Sequence, residues 1–164
     1  MRKPAALAVA AILAGCGQQA SAPAEAAGAG AILETAAITR GVLADPAVLN
    51  PVGAFSSDSD RLCVVPEGNG YRIGVTVDYG PQQRCAARGH ASGSGTLKID
   101  LGGECRLEAK FDDERIVFPP ALPAGCNQYC SGRATLSAVN ATRLSSTATE
   151  ARAMRSAKGD PLCD

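Results

Sequence analysis

Tyr71, Ile73, Val75, Val77 and Tyr79 alternate with Arg72, Gly74, Thr76 and Asp78, the two-residue period of a strand with one face in a core. The same period returns in Leu97, Ile99 and Leu101, separated by Lys98 and Asp100, and in Cys105, Leu107, Ala109 and Phe111, separated by Arg106, Glu108 and Lys110. Gly102-Gly103 supplies a turn between those two segments, and a second turn near Asp112-Asp113 leads into Ile116-Val117-Phe118. Leu62 to Val65 runs into the turn residues Pro66 to Gly70, and Thr135 to Val139 is a further candidate strand. Together these segments predict about five to seven strands in an antiparallel meander. No helical segment intervenes, which disfavours a doubly wound parallel sheet. The fold class predicted is mainly β, a small antiparallel barrel or sandwich that buries the alternating face and limits exposed edges.

The period changes near the C-terminus. Thr147-Ala148-Thr149-Glu150 fits a capping box, and Ala148 to Ala157 is rich in helix formers, with Arg152 and Arg155 placed late against the negative end of a helix dipole. A short helix ending near Lys158-Gly159 is predicted, with Met154 as a packing residue.

Composition makes the core thin. Of 164 residues, 46% are hydrophobic but only 4% aromatic, with no Trp, so the core rests on Ala, Val, Leu and Ile. Six cysteines, Cys63, Cys85, Cys105, Cys126, Cys130 and Cys163, are spread through this region. An even number in an exported domain predicts three disulfides, their pairing left open, each stabilising the fold by about 2–4 kcal/mol. A zinc site would need paired Cys knuckles or more than the single His90. Cys126 and Cys130 have three residues between them, unlike a Cys-x-x-Cys redox motif. No metal site and no cofactor are expected.

The export prediction comes from the N-terminus. Met1-Arg2-Lys3-Pro4 is a basic tip, and Ala5 to Ala14 is apolar, too short to cross roughly 30 Å of hydrocarbon but suited to the apolar part of a secretory signal. The run ends in Leu13-Ala14-Gly15-Cys16, which resembles the lipobox of bacterial lipoproteins. That resemblance implies lipidation of the Cys16 thiol, cleavage after Gly15 and a lipid anchor in the bacterial membrane. Gly17 stands where inner-membrane retention would have Asp, so the analogy points to the outer membrane, facing the periplasm. Residues 1–15 then form the signal peptide, and 16–31 a flexible Ala/Gly/Pro-rich tether without large apolar residues. Residues 32–164 form a single disulfide-rich β domain, opening with an apolar stretch, Ile32 to Leu49, that fits a short helix or an edge strand.

Candidate chemistry changes this picture little. Basic and acidic residues balance at 16 each, which gives nucleic acid no electrostatic footprint. Nucleophile elbows, zinc-binding His pairs and phosphate loops are absent from the sequence. His90 reads as a surface-loop histidine. Asp58, Asp60, Asp112, Asp113 and Glu114 read as turn residues facing water, and Asn140-Ala141-Thr142 as a chance sequon. No catalytic residue is assigned and the protein is read as not an enzyme, with a small envelope enzyme as one alternative. Ser92-Gly93-Ser94-Gly95 resembles the Ser-Gly-x-Gly loop of periplasmic C-type lysozyme inhibitors, which implies a small disulfide-bearing barrel whose loop enters the lysozyme cleft with Ser92 or Ser94 as the contact. Beyond that loop the family continues with Ala, an apolar or basic residue and Tyr, where this chain has Thr96-Leu97-Lys98. The function expected is a tethered, non-enzymatic domain that binds or scaffolds an envelope partner, with hydrolase inhibition as the second alternative. Pro119 to Gly125 is the other candidate recognition surface, or else a rigid cover over one end of the domain.

Overall fold

A computed structural model describes residues 24–40 and 49–164. The lipobox, the signal segment, Cys16 and the start of the tether lie outside the described residues. The chain divides into two compact units, Met1–Leu43 and Ala44–Asp164. In the first, helix α1 spans Ala24–Thr39. The tether expected to reach residue 31 is therefore helical from Ala24: alanine is the strongest helix former, and a lack of core-filling residues says little about local helicity. Ile32 and Leu33 are exposed on it.

The second unit is a closed barrel of eight antiparallel strands. They are β1 (Gly53–Ser56), β2 (Asp60–Glu67), β3 (Gly70–Asp78), β4 (Arg84–Gly93), β5 (Thr96–Asp100), β6 (Arg106–Phe111), β7 (Arg115–Val117) and β8 (Asn140–Ser145). Each strand pairs with the next, and β8 closes on β1 with a register shift between Ala54 and Phe55. Closure removes free sheet edges, so of the two architectures the sequence left open, the barrel is the one formed.

Inward positions fill the interior as the alternation predicts. Leu62, Val64, Ile73, Val75, Val77, Leu97, Ile99, Leu107, Ala109, Phe111 and Ile116 are all buried in one cluster. Three strands, β1, β4 and β8, escaped the pattern. In β1, Gly53, Ala54 and Phe55 are buried in succession, leaving no alternation to read. In β4 the inward residues Cys85, Ala87, Gly89 and Ala91 are small, opposite Val77, Val75, Ile73 and Tyr71 of β3. A Cβ at Gly89 would run into the backbone of Asp100 and Leu101, so close approach to β5, rather than flexibility, explains this glycine. His90 accordingly lies on a strand and not in a loop.

Thr135 to Val139 is not a strand. Ala138 has φ 61°, a left-handed conformation that breaks an extended run, while Leu136 and Val139 pack into the barrel end. The strand follows at Asn140, where only Ala141 shows an apolar inward side chain and the next inward position carries Arg143.

The turns β1–β2, β3–β4 and β5–β6 and the long β7–β8 connection share one end of the barrel. There Pro119 to Pro123 leads into a 3-10 turn, Ala124–Tyr129, and Phe118, Leu122, Cys126 and Tyr129 pack on the core. The connector thus covers that end. Disulfides Cys105–Cys126 and Cys85–Cys130 pin it, and the Tyr129 hydroxyl donates to the Leu101 carbonyl, bridging the place where β5 diverges from the first half of β4.

A second, smaller core lies on the outside of the barrel. Cys63 and Val65 of β2 pack with Ala151, Met154, Leu162 and Cys163, and Cys63–Cys163 joins residues 100 apart in sequence. Helix α2, Ala148–Ala153, begins as the capping pattern requires, with the Thr147 hydroxyl accepting from the Glu150 N–H. It ends sooner than Ala157, because Met154 turns extended and the chain returns to lay Leu162 over β3. Gly74 makes that contact available: any Cβ there would strike the Leu162 carbonyl and Cγ.

Candidate functional site

Ser92 and Gly93 end β4, and Ser94-Gly95 form its tight turn into β5. Gly93 has φ 99°, a conformation glycine adopts without penalty, and a Cβ there would also meet the Thr96 carbonyl. The turn is tied to the barrel from beneath: the Phe111 N–H donates to the Gly95 carbonyl at 2.9 Å, and Leu49 packs beside Gly95. Ser92 and Ser94 are exposed. The segment is therefore a fixed hairpin tip with two outward hydroxyls.

The outer face behind this tip is patterned by cross-strand register. Arg72, His90, Asp100 and Arg106 form one row across β3 to β6, and Ser92, Lys98 and Glu108 form the next across β4 to β6. A shallow groove of about 540 Å³ runs over His90, Asp100 and Arg106 of the first row and Ser92, Lys98 and Glu108 of the second, with Ala91, Ile99 and Leu107 contributing its apolar part. Opposite charges meet along the first row. Arg72 is ion-paired with Glu67, and the Glu67 Oε2 oxygen lies 2.9 Å from His90 Nδ1. Arg106 Nε donates to Asp100 at 2.8 Å.

These partners hold the carboxylates in their charged form. The Arg72 hydrogen bond keeps the Glu67 carboxyl below the ordinary range against partial desolvation. Asp100 is lowered by Arg106 and then by the Gly102 N–H. Outside the groove, the Gly80 N–H and Arg84 lower Asp78.

Two of the other acidic candidates, Asp112 and Asp60, have structural duties. Asp112 accepts from the N–H groups of Glu114 and Arg115, as a turn residue should. Asp60 corrects the reading of a water-facing turn: it is buried and accepts from the Ser59 hydroxyl and the Asn140 N–H. It thereby fastens the start of β2 to the start of β8. Among the described residues, no three His, Cys, Asp or Glu side chains converge as a metal ion requires.

Arg143 carries the most consequential side chain that the sequence did not single out. It occupies an inward position at the barrel end opposite the disulfide-pinned connector. Its Nε donates to the Asp113 carbonyl at 2.7 Å, Nη1 to Val52 at 2.9 Å and Nη2 to Asn50 at 2.8 Å. The guanidinium carbon lies 5.1 Å from the ring centres of both Phe55 and Phe111, and desolvation pushes its pKa down. Arg143 closes that end. The only signal in the sequence is an arginine where the alternation calls for an apolar residue.

Comparison with protein-family models, with curated proteins and with solved structures gave no match. Among the described residues, no helix is long and apolar enough to cross a membrane.

Proposed function

We propose that this is a lipid-anchored protein of the bacterial envelope whose barrel is a non-catalytic binding domain, presenting the β4–β5 hairpin tip and the adjoining groove to a protein partner. The observation that carries the reading is the tip itself. Ser92 and Ser94 stand on a turn whose backbone is bonded to β6, so a partner meets a surface ordered before contact and loses little conformational entropy in binding it. Leu13-Ala14-Gly15-Cys16 supports the anchor, and three disulfides suit an oxidising compartment outside the cytoplasm. A periplasmic face of the outer membrane accords with Gly17 after the acceptor cysteine.

Inhibition of a glycan hydrolase is the second reading, favoured by the narrowness of the same tip, which has only Ser94-Gly95 between its strands. The acylated protein, used as bait in detergent-solubilised native envelopes, should retain a specific partner that a Ser92→Glu/Ser94→Glu variant loses. A parallel lysozyme assay distinguishes the two readings: inhibition that the same variant abolishes makes the partner a lysozyme. Retention of the partner by the variant would remove the tip from the binding surface.

A further inference from the structure

A second cleft, of about 470 Å³, lies beside the first half of β4 and is lined by Gln82, Arg84, Lys158, Tyr129 and both cysteines of one disulfide, Cys85 and Cys130. Cys130 is half-buried. The other two bridges are sealed: Cys63 and Cys163 lie in the outer core, Cys105 and Cys126 in the barrel, all at 2% exposure or less. Thiol–disulfide exchange needs a thiolate to reach a sulfur, and its rate rises when nearby cations stabilise the attacking and departing thiolates. Among the described disulfides, Cys85–Cys130 alone has a cysteine that is not fully buried, and the cleft beside it is lined by two cations, Lys158 and Arg84, the latter paired with Asp78, against one carboxylate, Asp160.

We propose that Cys85–Cys130 is an exchange site for dithiols, small ones or those of a thiol oxidoreductase. One thiolate of the dithiol attacks Sγ of Cys130 and forms a mixed disulfide. The Cys130–Cys85 bond breaks, and its electron pair leaves on Cys85 Sγ, which takes a proton from water. The second thiolate of the reductant then attacks the mixed disulfide from its own side, releasing Cys130 as a thiol and the reductant as its disulfide. Two electrons pass from reductant to protein.

The structural consequence is local. Without the bridge, the seam between β4 and residues 129–131 is held by the Ser131 N–H to Arg84 carbonyl bond at 2.8 Å, while the Tyr129 hydroxyl bond to Leu101 ties the turn to the end of β5. Cys105–Cys126 still pins the start of the 3-10 turn, so the barrel stays closed while this seam loosens.

The test treats the oxidised full chain with graded dithiothreitol under native conditions, traps free thiols with N-ethylmaleimide and locates them by peptide mass spectrometry. Cys85 and Cys130 should be labelled at least about tenfold faster than the four cysteines of the other two bridges, with the far-ultraviolet spectrum unchanged. Lys158→Glu, on an exposed residue, should slow that step through repulsion of the thiolate. Labelling of all cysteines together, labelling of another pair first, or selective labelling that Lys158→Glu leaves unchanged would overturn the proposal.

Discussion

Replacing Arg143 with alanine removes the group that closes one barrel end, and the structure allows the cost to be worked through. The bond to Val52 matters most, because Val52 is buried and its carbonyl would be left without a partner, at about 2 kcal/mol. Asn50 and Asp113 are exposed, so their carbonyls recover water and each bond contributes only about 0.5 kcal/mol. The guanidinium also sits over two phenylalanine faces that meet edge-on, adding roughly 0.5 kcal/mol or more for each. Removing a partly desolvated charge offsets part of this sum. The net loss is about 3 kcal/mol, or roughly 10 °C in Tm for a domain of this size. Urea denaturation followed by circular dichroism measures it directly. Arg143→Lys should recover less than half, since one ammonium cannot reach three carbonyls that a planar fork spans. A loss under about 1 kcal/mol for alanine, or full recovery by lysine, would refute the view that the fork holds this end closed.

Two further outcomes follow from the same reasoning. Gly74→Val should drive a side chain into the Leu162 backbone and lift the C-terminal segment from β3, costing about 3 kcal/mol in chemical denaturation; an unchanged midpoint would mean that the segment does not rest on β3. Glu67, Asp78 and Asp100 have folded pKa values below their ordinary ones, so their contribution is fully present above about pH 4 and is lost as pH falls through the lower folded values. Thermal unfolding scanned from neutral to acid pH should therefore weaken mainly below about pH 4, and Asp78→Asn should flatten that limb; a loss concentrated between neutrality and pH 5 would contradict it.

Where a strand has one face inside and one in water, its own residues announce it. That holds for β3, β5 and β6, and it made the meander and the turns at Gly102-Gly103 and Asp112-Asp113 readable in advance. The N-cap of α2 was equally local, because Thr147 and Glu150 are three residues apart on one turn. The hairpin tip was legible as Ser92 to Gly95, but its rigidity was not: that comes from Phe111 and Leu49, which approach it only when the barrel closes. The groove behind it depends on register, since His90, Asp100 and Arg106 belong to three different strands.

Strands β1, β4 and β8 needed the fold to define them. Their inward positions hold a continuous buried run, small residues or an arginine, and each makes sense only beside its neighbours. The cysteines divide in the same way: six of them within the β region already predict three bridges, whereas the pairs Cys63–Cys163, Cys85–Cys130 and Cys105–Cys126 join elements that chain order alone does not place together. Periodicity is written by the contrast between core and solvent along a single strand, and it carries fold class, turns and caps. Closure, register and the burial of Asp60 and Arg143 are set by partners distant in sequence, whose backbone groups satisfy a buried charge only after all eight strands are in place.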